Sequence, residues 1–550
     1  MTPHLLCDPF LQLPTPNSVR VVWFTEFPGL QNTVSYGENL EHTASASSIK
    51  LSRTREDQES RVGKQTTDGQ VYQHPVRREI WRHEAEVTGL TPGKRVPYRV
   101  TSVQEDSARV SSDIFTLAPT PNPGQTAKIL LTSDHQLKPL VAANLQKVVE
   151  TVGQVDAVWF VGDLVSTPDR ASEWFDDNRG GAFFPCLQGR AKFTLEKNGV
   201  TTCYTGGEII QHAPLFTCLG NHEFMGRWGR LGSLNAEFDD TIPREVAQQL
   251  YGEATKDNSF NCDTYEEIFT LPQSPTGGET YYAVTFGDVR LVVLYVTCVW
   301  RYSGDNQQLK SKYEERQKDL HNQENWGYGQ FIFEPISKGS PQYDWLLEEL
   351  HSPEFQQAKY KVVMLHHPPH TLGGNIVPAY TDPIQIIVRD GEGKISAVRY
   401  EYPWEDDYII RDVMPLLEEA GVQLTFYGHS HLWNRFITPQ GMHCLETSNV
   451  GNSYGAALGK NQRDVPGGYQ EKYVALGDPY DLEPVVPNIA PLIGEDGQPL
   501  PYVASNNITV FSILDTETGT VSSYGFDTRK PDGEVVKFDE FGLINTISRK

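Results

Sequence analysis

Apolar and polar residues alternate through the first part of the chain, which is the pattern of half-buried β-strands. Val19, Val21 and Trp23 lie on one face of one such strand. The turn sequence GLTPG at residues 89–93 separates two further predicted strands, since glycine and proline favour tight turns. Strands at this spacing predict an all-β sandwich over residues 1–122.

The polar stretch 38–80 breaks this alternation because it is rich in Ser, Arg, Glu and Gln. We expect it to form an enlarged loop region of the sandwich. Residues 118–124, with the sequence APTPNPG, form a proline-rich linker and predict the boundary between two domains. The second domain is predicted to span residues 125–535.

Beyond the linker, short and wholly apolar segments alternate with amphipathic ones. Residues 127–133 predict a buried strand, residues 137–152 repeat their apolar positions at helical spacing, and residues 157–161 predict a second buried strand. A strand–helix–strand unit pairs its strands in parallel, so the pattern indicates an α/β domain. Further strands are predicted at 214–219, 281–286, 289–296, 360–365 and 422–427, and further helices at 343–350 and 408–420.

Five of the predicted strands run directly into residues that can bind metal ions. These residues are Asp134, Asp163, Asn221 with His222, His366 with His367, and His429 with His431. Side chains at the carboxyl ends of parallel strands meet at one edge of a sheet, which is where α/β proteins build ligand sites. Carboxylate, imidazole and amide ligands suit divalent Mn, Fe or Zn better than a thiolate site would.

Each of these residues also has an ordinary structural interpretation. Asp134 can cap a helix N-terminus, and Asp163 can lie in a turn. His366 or His367 can be a hydrogen-bonded core residue. A metal site is the better explanation for the set as a whole, because all five groups follow a strand.

The order of the five groups resembles the calcineurin-like metallophosphoesterase superfamily. The motifs that carry the resemblance are SDHQ at 133–136, GD at 162–163, GNHE at 220–223, VMLH at 363–366 and GHSH at 428–431. The N-terminal sandwich, with its GLTPG turn, resembles the fibronectin type III-like domain that precedes this fold in purple acid phosphatases. The resemblance implies a four-layer α/β/β/α domain and a hydrolase of phosphate esters.

The resemblance also implies a role for each residue in a binuclear site with two divalent metal ions. The implied ligands are Asp163 on both ions, Asn221, His366 and His429 on the second ion, and Asp134 and His431 on the first. His222 would contact the phosphoryl oxygens and protonate the leaving group, and a metal-bound hydroxide would attack the phosphorus. His366 fits the family spacing as the ligand after its strand, and His367 is the alternative.

Two positions depart from the family pattern. Gln136 stands where many members have histidine and purple acid phosphatases have glycine, and Ser166 stands where purple acid phosphatases have their coloured tyrosine ligand. We therefore expect a protein without purple colour, whose first metal has only Asp134, Asp163 and His431 as full ligands. Further candidates for weak or indirect contact with the metals are Gln136, Ser166, Glu223 and His367.

Composition narrows the class of protein. The net charge of −24 argues against a broad nucleic-acid-binding surface, since neutralising phosphates takes Lys and Arg. The seven cysteines are scattered, and Cys186 with Cys203 is the one pair considered for a disulfide. The N-terminus has no secretory pattern and no apolar run reaches the roughly 18 residues of a membrane span, so we expect a soluble, cytoplasmic protein without membrane contact.

We therefore predict a metal-dependent phosphoesterase with a small phosphorylated substrate, and favour a phosphomonoesterase resembling acid phosphatases. A phosphodiesterase or nucleotidase is an alternative, because the motifs do not specify the ester. A catalytically weak metal-binding or interaction protein is another, which Gln136 and Ser166 favour and the retained His222 opposes. The insertions predicted to set the specificity are 164–210, 300–340, 370–405 and 455–500.

Overall fold

The N-terminal part of the chain is a sandwich of two antiparallel sheets, as the alternating pattern predicts. The computed structural model describes residues 4–63, 72–230, 232–253, 255–301, 312–375, 378–463 and 474–543. The first sheet contains, in spatial order, Phe10–Gln12, Ser18–Thr25, Trp81–Thr88 and Ser47–Lys50. The second contains Arg109–Ser111, Val96–Val103, Gln31–Tyr36 and His42–Ser45, and Phe115–Leu117 also pairs with Val96–Val103.

The core of the sandwich consists of the side chains that face inward between its two sheets. Trp23 and Tyr98 are both fully buried in it. The Trp23 indole donates a hydrogen bond to Ser102 Oγ at 2.9 Å, and the Tyr98 hydroxyl donates to Gln211 O of the second domain at 2.7 Å. Each ring therefore buries a large apolar surface without leaving its polar atom unpaired.

The prediction of an enlarged loop over residues 38–80 is wrong for the described part of that stretch. Strands His42–Ser45 and Ser47–Lys50 form edges of the two sheets, and the short strands Arg55–Glu56 and Val76–Arg77 pair with each other. The two edge strands are polar and largely exposed on both faces. No alternation of apolar residues marks such strands, so the sequence pattern does not reveal them.

The second domain is built on two mixed sheets. In spatial order, the six-stranded sheet contains Leu215–Thr217, Ala157–Phe160, Lys128–Thr132, Ile508–Asp515, Thr520–Asp527 and Val536–Gly542. The seven-stranded sheet contains Tyr282–Phe286, Val289–Val293, Tyr360–Met364, Leu424–Tyr427, His443–Thr447, Trp433–Ile437 and Tyr502–Val503. The strands that lead into the candidate ligands pair in parallel within their sheets, as the strand–helix–strand pattern predicts.

The two sheets pack face to face. One hydrophobic cluster contains Leu130 and Phe511 from the six-stranded sheet together with Phe426 from the seven-stranded sheet. Trp433 Nε1 donates a hydrogen bond across the two sheets to Ser523 Oγ at 3.0 Å. Burial of this shared face removes apolar surface from water and joins the two sheets into one core.

Helices cover the outer faces of both sheets and complete an α/β/β/α arrangement. Helix Val141–Val152 packs on strand Ile508–Asp515, where Asn144 Nδ2 donates to Val510 O at 2.8 Å. The outer face of the seven-stranded sheet shares a second hydrophobic cluster with helices Pro341–Leu350, Pro353–Gln357 and Met414–Glu419. The four-layer fold class is therefore confirmed.

The remaining described elements lie mainly in the connections between these strands. The helices are Ala171–Phe175, Phe183–Leu187, Leu234–Phe238, Arg244–Tyr251 and Asp263–Ile268. The 3₁₀ turns are Asn221–Glu223, Lys256–Asn258, Gln317–Asp319, Gln323–Asn325 and Trp404–Asp406. The strand pairs are Phe193–Lys197 with Val200–Tyr204, Cys298–Trp300 with Gln330–Ile332, and Ile384–Arg389 with Ile395–Glu401. The insertions predicted from the sequence thus carry short elements of their own.

Two predicted helices differ in their bounds. The helix expected over 137–152 begins at Val141, because Gln136 and Leu137 adopt left-handed backbone conformations with φ of 42° and 55°. The helix expected over 408–420 begins as a π-helical turn, Ile409–Val413, and continues as Met414–Glu419. The proline at position 415 has no backbone N–H to donate, which disfavours a regular α-helical ladder through this segment.

The two cysteines considered for a disulfide are both free. Cys186 is buried in a helix and Cys203 is exposed on a hairpin strand, so the pairing is wrong. Among the described residues, no helix has the length and apolar character needed to cross a membrane.

Buried ion pairs join the sandwich to the second domain. The Arg55 guanidinium lies 2.7 Å from Asp169 Oδ2 and 2.7 Å from Glu237 Oε2, and all three side chains are at most 5% exposed. The Trp228 ring packs against the same guanidinium at 3.8 Å from its centroid. The N-terminal segment therefore reaches the loops that surround the candidate site.

Candidate active site

The candidate ligands lie in tight turns at the carboxyl ends of their strands. Asp134, Asp163, His429 and His431 all have positive φ, between 55° and 77°. Non-glycine residues seldom adopt this conformation, although Asp and His do so more often than most, and such residues cluster at functional sites. The backbone therefore turns sharply at these four positions and directs the polar side chains toward one edge of the sheets.

Two of these turns touch each other directly. A Cβ added to Gly162 would lie 2.6 Å from the backbone nitrogen of Gly220, and the φ of Gly162 is +84°. Glycine is required there because any side chain would push apart the turn that carries Asp163 and the turn that carries Asn221.

Three side-chain atoms converge at the centre of the site. Asn221 Oδ1 lies 3.1 Å from His366 Nε2 and 2.9 Å from His429 Nδ1, and the two imidazole nitrogens are 3.3 Å apart. His366 Nδ1 donates to Val161 O at 2.6 Å, which leaves Nε2 with its lone pair directed into the site. Asp163 Oδ1 lies 3.4 Å from the same Nε2.

A second group of acceptors lies beside the first. Ligand atoms of Asp134, Asp163 and His431 all lie within 4.8 Å of one another, and Asp134 Oδ1 is 3.3 Å from His431 Nε2. The other carboxylate oxygen of Asp134 accepts hydrogen bonds from the backbone N–H of His429, at 3.0 Å, and from the Ser133 hydroxyl. The structure therefore brings together all six predicted metal ligands.

The chemistry of these groups fits divalent cations. Burial raises the pKa of Asp163 well above its usual value, and the neighbouring Asp134 carboxylate adds to the shift. Carboxylate, amide and imidazole acceptors that are buried this closely repel one another unless a proton or a cation lies between them. Oxygen and nitrogen donors without thiolate suit Mn, Fe or Zn.

His367, the alternative to His366, also lies at the site. Its ring stacks on His429 with 4.0 Å between the centroids, and His366, His367 and His429 form another group whose ligand atoms lie within 4.8 Å. The ring is buried, and neither ring nitrogen of His367 has a hydrogen-bond partner among the described atoms. His366 differs because it contacts both Asn221 and Asp163.

The two positions that depart from the family pattern contact ligands or the loops around them. Gln136 Nε2 donates to Asp163 Oδ2 at 2.6 Å. Ser166 Oγ donates to the backbone oxygen of Gln136 at 3.0 Å, so this hydroxyl is engaged by the neighbouring turn. Gln136 therefore binds one carboxylate oxygen of Asp163, and Ser166 binds the backbone of Gln136.

Glu223 joins the two touching turns. Its carboxylate accepts hydrogen bonds from the backbone N–H groups of Gly220, Asp163 and Leu164, at 2.6, 2.9 and 2.8 Å. A buried carboxylate with three N–H partners fixes the backbone conformation on both sides of the site. Glu223 therefore contacts the metal-ligand turns through their backbone.

His222 lies between the metal-ligand groups and an open cavity. Its Nδ1 is 2.8 Å from Ser166 O, and its backbone N–H donates to Asp163 Oδ1 at 2.9 Å. The hydrogen bond to Ser166 O places the proton on Nδ1 and leaves Nε2 for the cavity, which has a volume of about 290 Å³. Burial lowers the pKa of His222 to about 3, so the ring is neutral in the substrate-free protein.

A chain of buried charges that the sequence does not reveal supports the loop around His222. Glu173 Oε2 accepts from the N–H groups of Ser166 and Thr167, at 2.7 and 2.9 Å. Arg170 joins Glu173 at 2.8 Å to Asp57 of the N-terminal sandwich at 3.1 Å. Asp57 is distant in sequence from Arg170 and Glu173, and none of the three belongs to a motif, so no sequence signal identifies them.

A second supporting carboxylate does leave a sequence signal. Glu446 lies within the buried strand His443–Thr447 and accepts from Ser430 N at 2.8 Å and from Thr371 Oγ1 at 2.9 Å. It therefore holds the turn between His429 and His431. A glutamate inside an otherwise buried strand is uncommon without a specific partner, and that position could have been singled out.

Comparison with known proteins agrees with this geometry. Residues 127–432, more than half of the chain, match the family described as calcineurin-like phosphoesterase. Residues 7–117 match the family described as purple acid phosphatase, N-terminal domain. None of the curated proteins matches the chain in sequence.

Two solved structures superpose on this chain, and the first of them shares its fold. Purple acid phosphatase PPD1 from yellow lupin (Lupinus luteus) seeds superposes with a TM-score of 0.53 and 14% identity, over 97% of this chain and 74% of that one. The structure of PhoD superposes with a TM-score of 0.45 and 11% identity, over 98% of this chain and 91% of that one. The family match and the fold together show that this chain is a phosphate ester hydrolase and belongs to the calcineurin-like phosphoesterase family.

Proposed function

We propose that the protein is a phosphomonoesterase with two divalent metal ions at its active site. The observation that most supports the metal site is the convergence of Asn221 Oδ1, His366 Nε2 and His429 Nδ1 within 3.3 Å of one another. The neighbouring group formed by Asp134, Asp163 and His431 supports a second ion. Asp163 belongs to the second group, and its Oδ1 also lies 3.4 Å from His366 Nε2, so it is the residue that would contact both ions.

The ions and the protein contribute different parts of the reaction. Divalent ions at these positions supply Lewis-acid activation of water and neutralise charge on the phosphoryl group. The protein holds the ligands in fixed positions before substrate binds. Gln136 and Glu223 fix the Asp163 carboxylate and its backbone, which limits the reorganisation required during reaction.

His222 is the group that we assign to the leaving oxygen. Ser166 O holds its Nδ1–H, so Nε2 is the atom that exchanges a proton with substrate in the cavity. The negative charge of a bound phosphate opposes the effect of burial and raises the pKa of the ring. The ring therefore takes up its proton when an anionic substrate is present and passes it to the departing alkoxide.

We assign catalysis to the second domain, over residues 125–535. The sandwich over residues 1–122 carries none of the proposed ligands. Its part in the reaction is to support the loops around the site, through Arg55 and Asp57.

The test is turnover of a chromogenic phosphate monoester and of the matching diester by purified protein. Each assay is run with Mn²⁺, with Zn²⁺ and with a chelator, beside the variant Asp163→Asn. We expect metal-dependent hydrolysis with preference for the monoester and loss of turnover in the variant. Preference for the diester would overturn the choice of substrate class. Full activity in chelator, or in Asp163→Asn, would overturn the two-metal site.

A further inference from the structure

The cavity beside His222 is walled by aromatic side chains. Phe238, Trp300 and Tyr454 line it, together with the apolar Phe224 and Val299. Phe238, Trp300 and Tyr454 are not part of the catalytic motifs, and they come from three separate segments of the second domain. Such a wall recognises the organic part of a substrate rather than its phosphate.

Each of the three rings contacts a different histidine of the site. Phe238 stacks on His222 with 4.9 Å between centroids, and Tyr454 stacks on His431 at 5.1 Å. Trp300 meets His429 edge to face at 6.4 Å. The aromatic wall therefore begins at the catalytic groups, and a group bonded to the phosphate oxygen would enter it directly.

Other contacts hold two of the rings in place. The Lys312 ammonium lies 4.4 Å from the Trp300 ring centroid, a cation–π contact. Phe238 ends the short helix Leu234–Phe238, whose first N–H donates to Asp57 Oδ2 at 2.8 Å. Rings that are fixed before binding lose little freedom when a flat ligand packs on them.

The charge of the cavity restricts the ligand further. Among the described residues that line it, none is Lys or Arg, while Asp239 is acidic. A second phosphate or a carboxylate on the organic group would find no Lys or Arg among the described lining residues, since Lys312, 4.4 Å from the Trp300 ring centroid, is not one of them. The volume of about 290 Å³ is well above the roughly 150 Å³ cavity that accepts benzene, so it admits one or two fused rings.

We propose that the substrate is a phosphate monoester whose organic group is a planar aromatic ring system without further negative charge. This inference rests on the proposed phosphomonoesterase function. The ring can come from a phenyl group or from a nucleobase, since both present a flat apolar face. The phosphate lies at the metal ligands, and the ring lies among Phe238, Trp300 and Tyr454.

The test compares esters that all release a primary alcohol, so that leaving-group chemistry stays nearly constant. The esters are 2-phenylethyl phosphate, 2-cyclohexylethyl phosphate, glycerol 1-phosphate (glycerol phosphate below) and adenosine 5′-monophosphate, each assayed with Mn²⁺. We expect kcat/KM for the phenylethyl ester to exceed that for glycerol phosphate by about 10- to 100-fold. The kcat/KM for the phenylethyl ester should also exceed the kcat/KM for the cyclohexylethyl ester by roughly 3- to 10-fold, which corresponds to the usual energy of an aromatic pair. The adenosine ester shows whether a nucleobase or a phenyl ring is preferred.

Variants of the aromatic wall give a second measure. Trp300→Leu and Phe238→Leu keep an apolar side chain, and we expect each to lower the ratio of phenylethyl to glycerol phosphate turnover several-fold. Tyr36→Leu removes an aromatic ring from the N-terminal sandwich and should leave that ratio unchanged.

The possible failures are distinct. Equal kcat/KM for the phenylethyl, cyclohexylethyl and glycerol esters would overturn the aromatic inference and leave the phosphomonoesterase proposal standing. Equal values for the phenylethyl and cyclohexylethyl esters alone would also overturn it, because the cavity would then be merely apolar. Hydrolysis of none of the esters by folded, metal-loaded protein would contradict both proposals.

Discussion

The Glu173 carboxylate offers a sharp test of how the protein positions His222. Glu173 Oε2 accepts from the N–H groups of Ser166 and Thr167 at 2.7 and 2.9 Å, and Ser166 O in turn holds His222 Nδ1 at 2.8 Å. The carboxylate itself touches neither substrate nor metal ligand. Replacing Glu173 by Ala should therefore act on the reaction indirectly, mainly through the loop that carries Ser166.

The size of the effect follows from these contacts. A hydrogen bond from a neutral donor to a buried charge contributes about 1.5–3 kcal/mol. The Thr167 donor is buried, whereas the Ser166 donor is partly exposed and can recover a bond to water. Because the variant also leaves the buried Arg170 without its Glu173 partner, we expect a loss of about 3–5 kcal/mol in the free energy of unfolding. Displacement of His222 by about 1 Å should lower kcat on the order of 100-fold, within the range that a general acid contributes.

A double-mutant cycle measures the coupling between the two residues. The kcat of Glu173→Ala is compared in the native background and in His222→Ala, with KM and metal affinity measured in parallel. We expect the large loss of kcat in the native background and almost none when His222 is already absent. Glu173→Gln keeps one oxygen acceptor and should recover part of the activity. Glu196→Ala, at an exposed position on a hairpin, is the matched control and should have no effect.

Two results would refute this reasoning. An equal fractional loss of kcat in both backgrounds would show that Glu173 acts independently of His222. Loss of metal affinity in Glu173→Ala would show that the change reaches the ligands instead of the loop.

Two further predictions concern stability. Arg55→Met leaves Asp169 and Glu237 buried without their cation and should cost about 3–5 kcal/mol of unfolding free energy in denaturant titrations, whereas Arg190→Met, at a partly exposed pair with Asp8, should cost less than about 1 kcal/mol. Similar costs for both variants would contradict the assigned importance of the interface. Burial lowers the pKa of His83 in the folded protein to about 4, whereas the unfolded chain keeps a pKa near 6.5. Between these two pH values the unfolded chain binds one more proton than the folded protein. The free energy of unfolding therefore decreases as the pH falls from 6.5 to 4. When the pH is lowered from 7 to 5, the free energy of unfolding of the unsubstituted protein should fall by about 2 kcal/mol more than that of His83→Gln. Equal decreases in the two proteins would exclude His83 as the cause.

The ligand set was predictable because it depends on local turns and on parallel pairing. Each ligand directly follows a buried strand, and parallel strands bring their carboxyl ends to one edge. That is why Asp134, Asp163, Asn221, His366 and His429 could be grouped from the sequence. The same logic does not distinguish His366 from His367, since both follow one strand, and only the contacts of His366 with Asn221 and Asp163 separate them.

The supporting groups could not be predicted because they depend on tertiary packing. Asp57 meets Arg170 only when the sandwich docks on the second domain, whereas Arg170 and Glu173 are three residues apart in the chain. Phe238 and Trp300 lie in separate connections whose paths no periodicity specifies. The late start of the helix at Val141 has a similar origin, because Gln136 adopts positive φ and its side chain contacts Asp163.

The most direct test of the two-metal account is anomalous diffraction from crystals of the protein grown with Mn²⁺. The account predicts two anomalous peaks on either side of Asp163. One should be contacted by Asn221, His366 and His429, and the other by Asp134 and His431. A single peak coordinated by His366, His367 and His429, or no peak among these side chains, would contradict it.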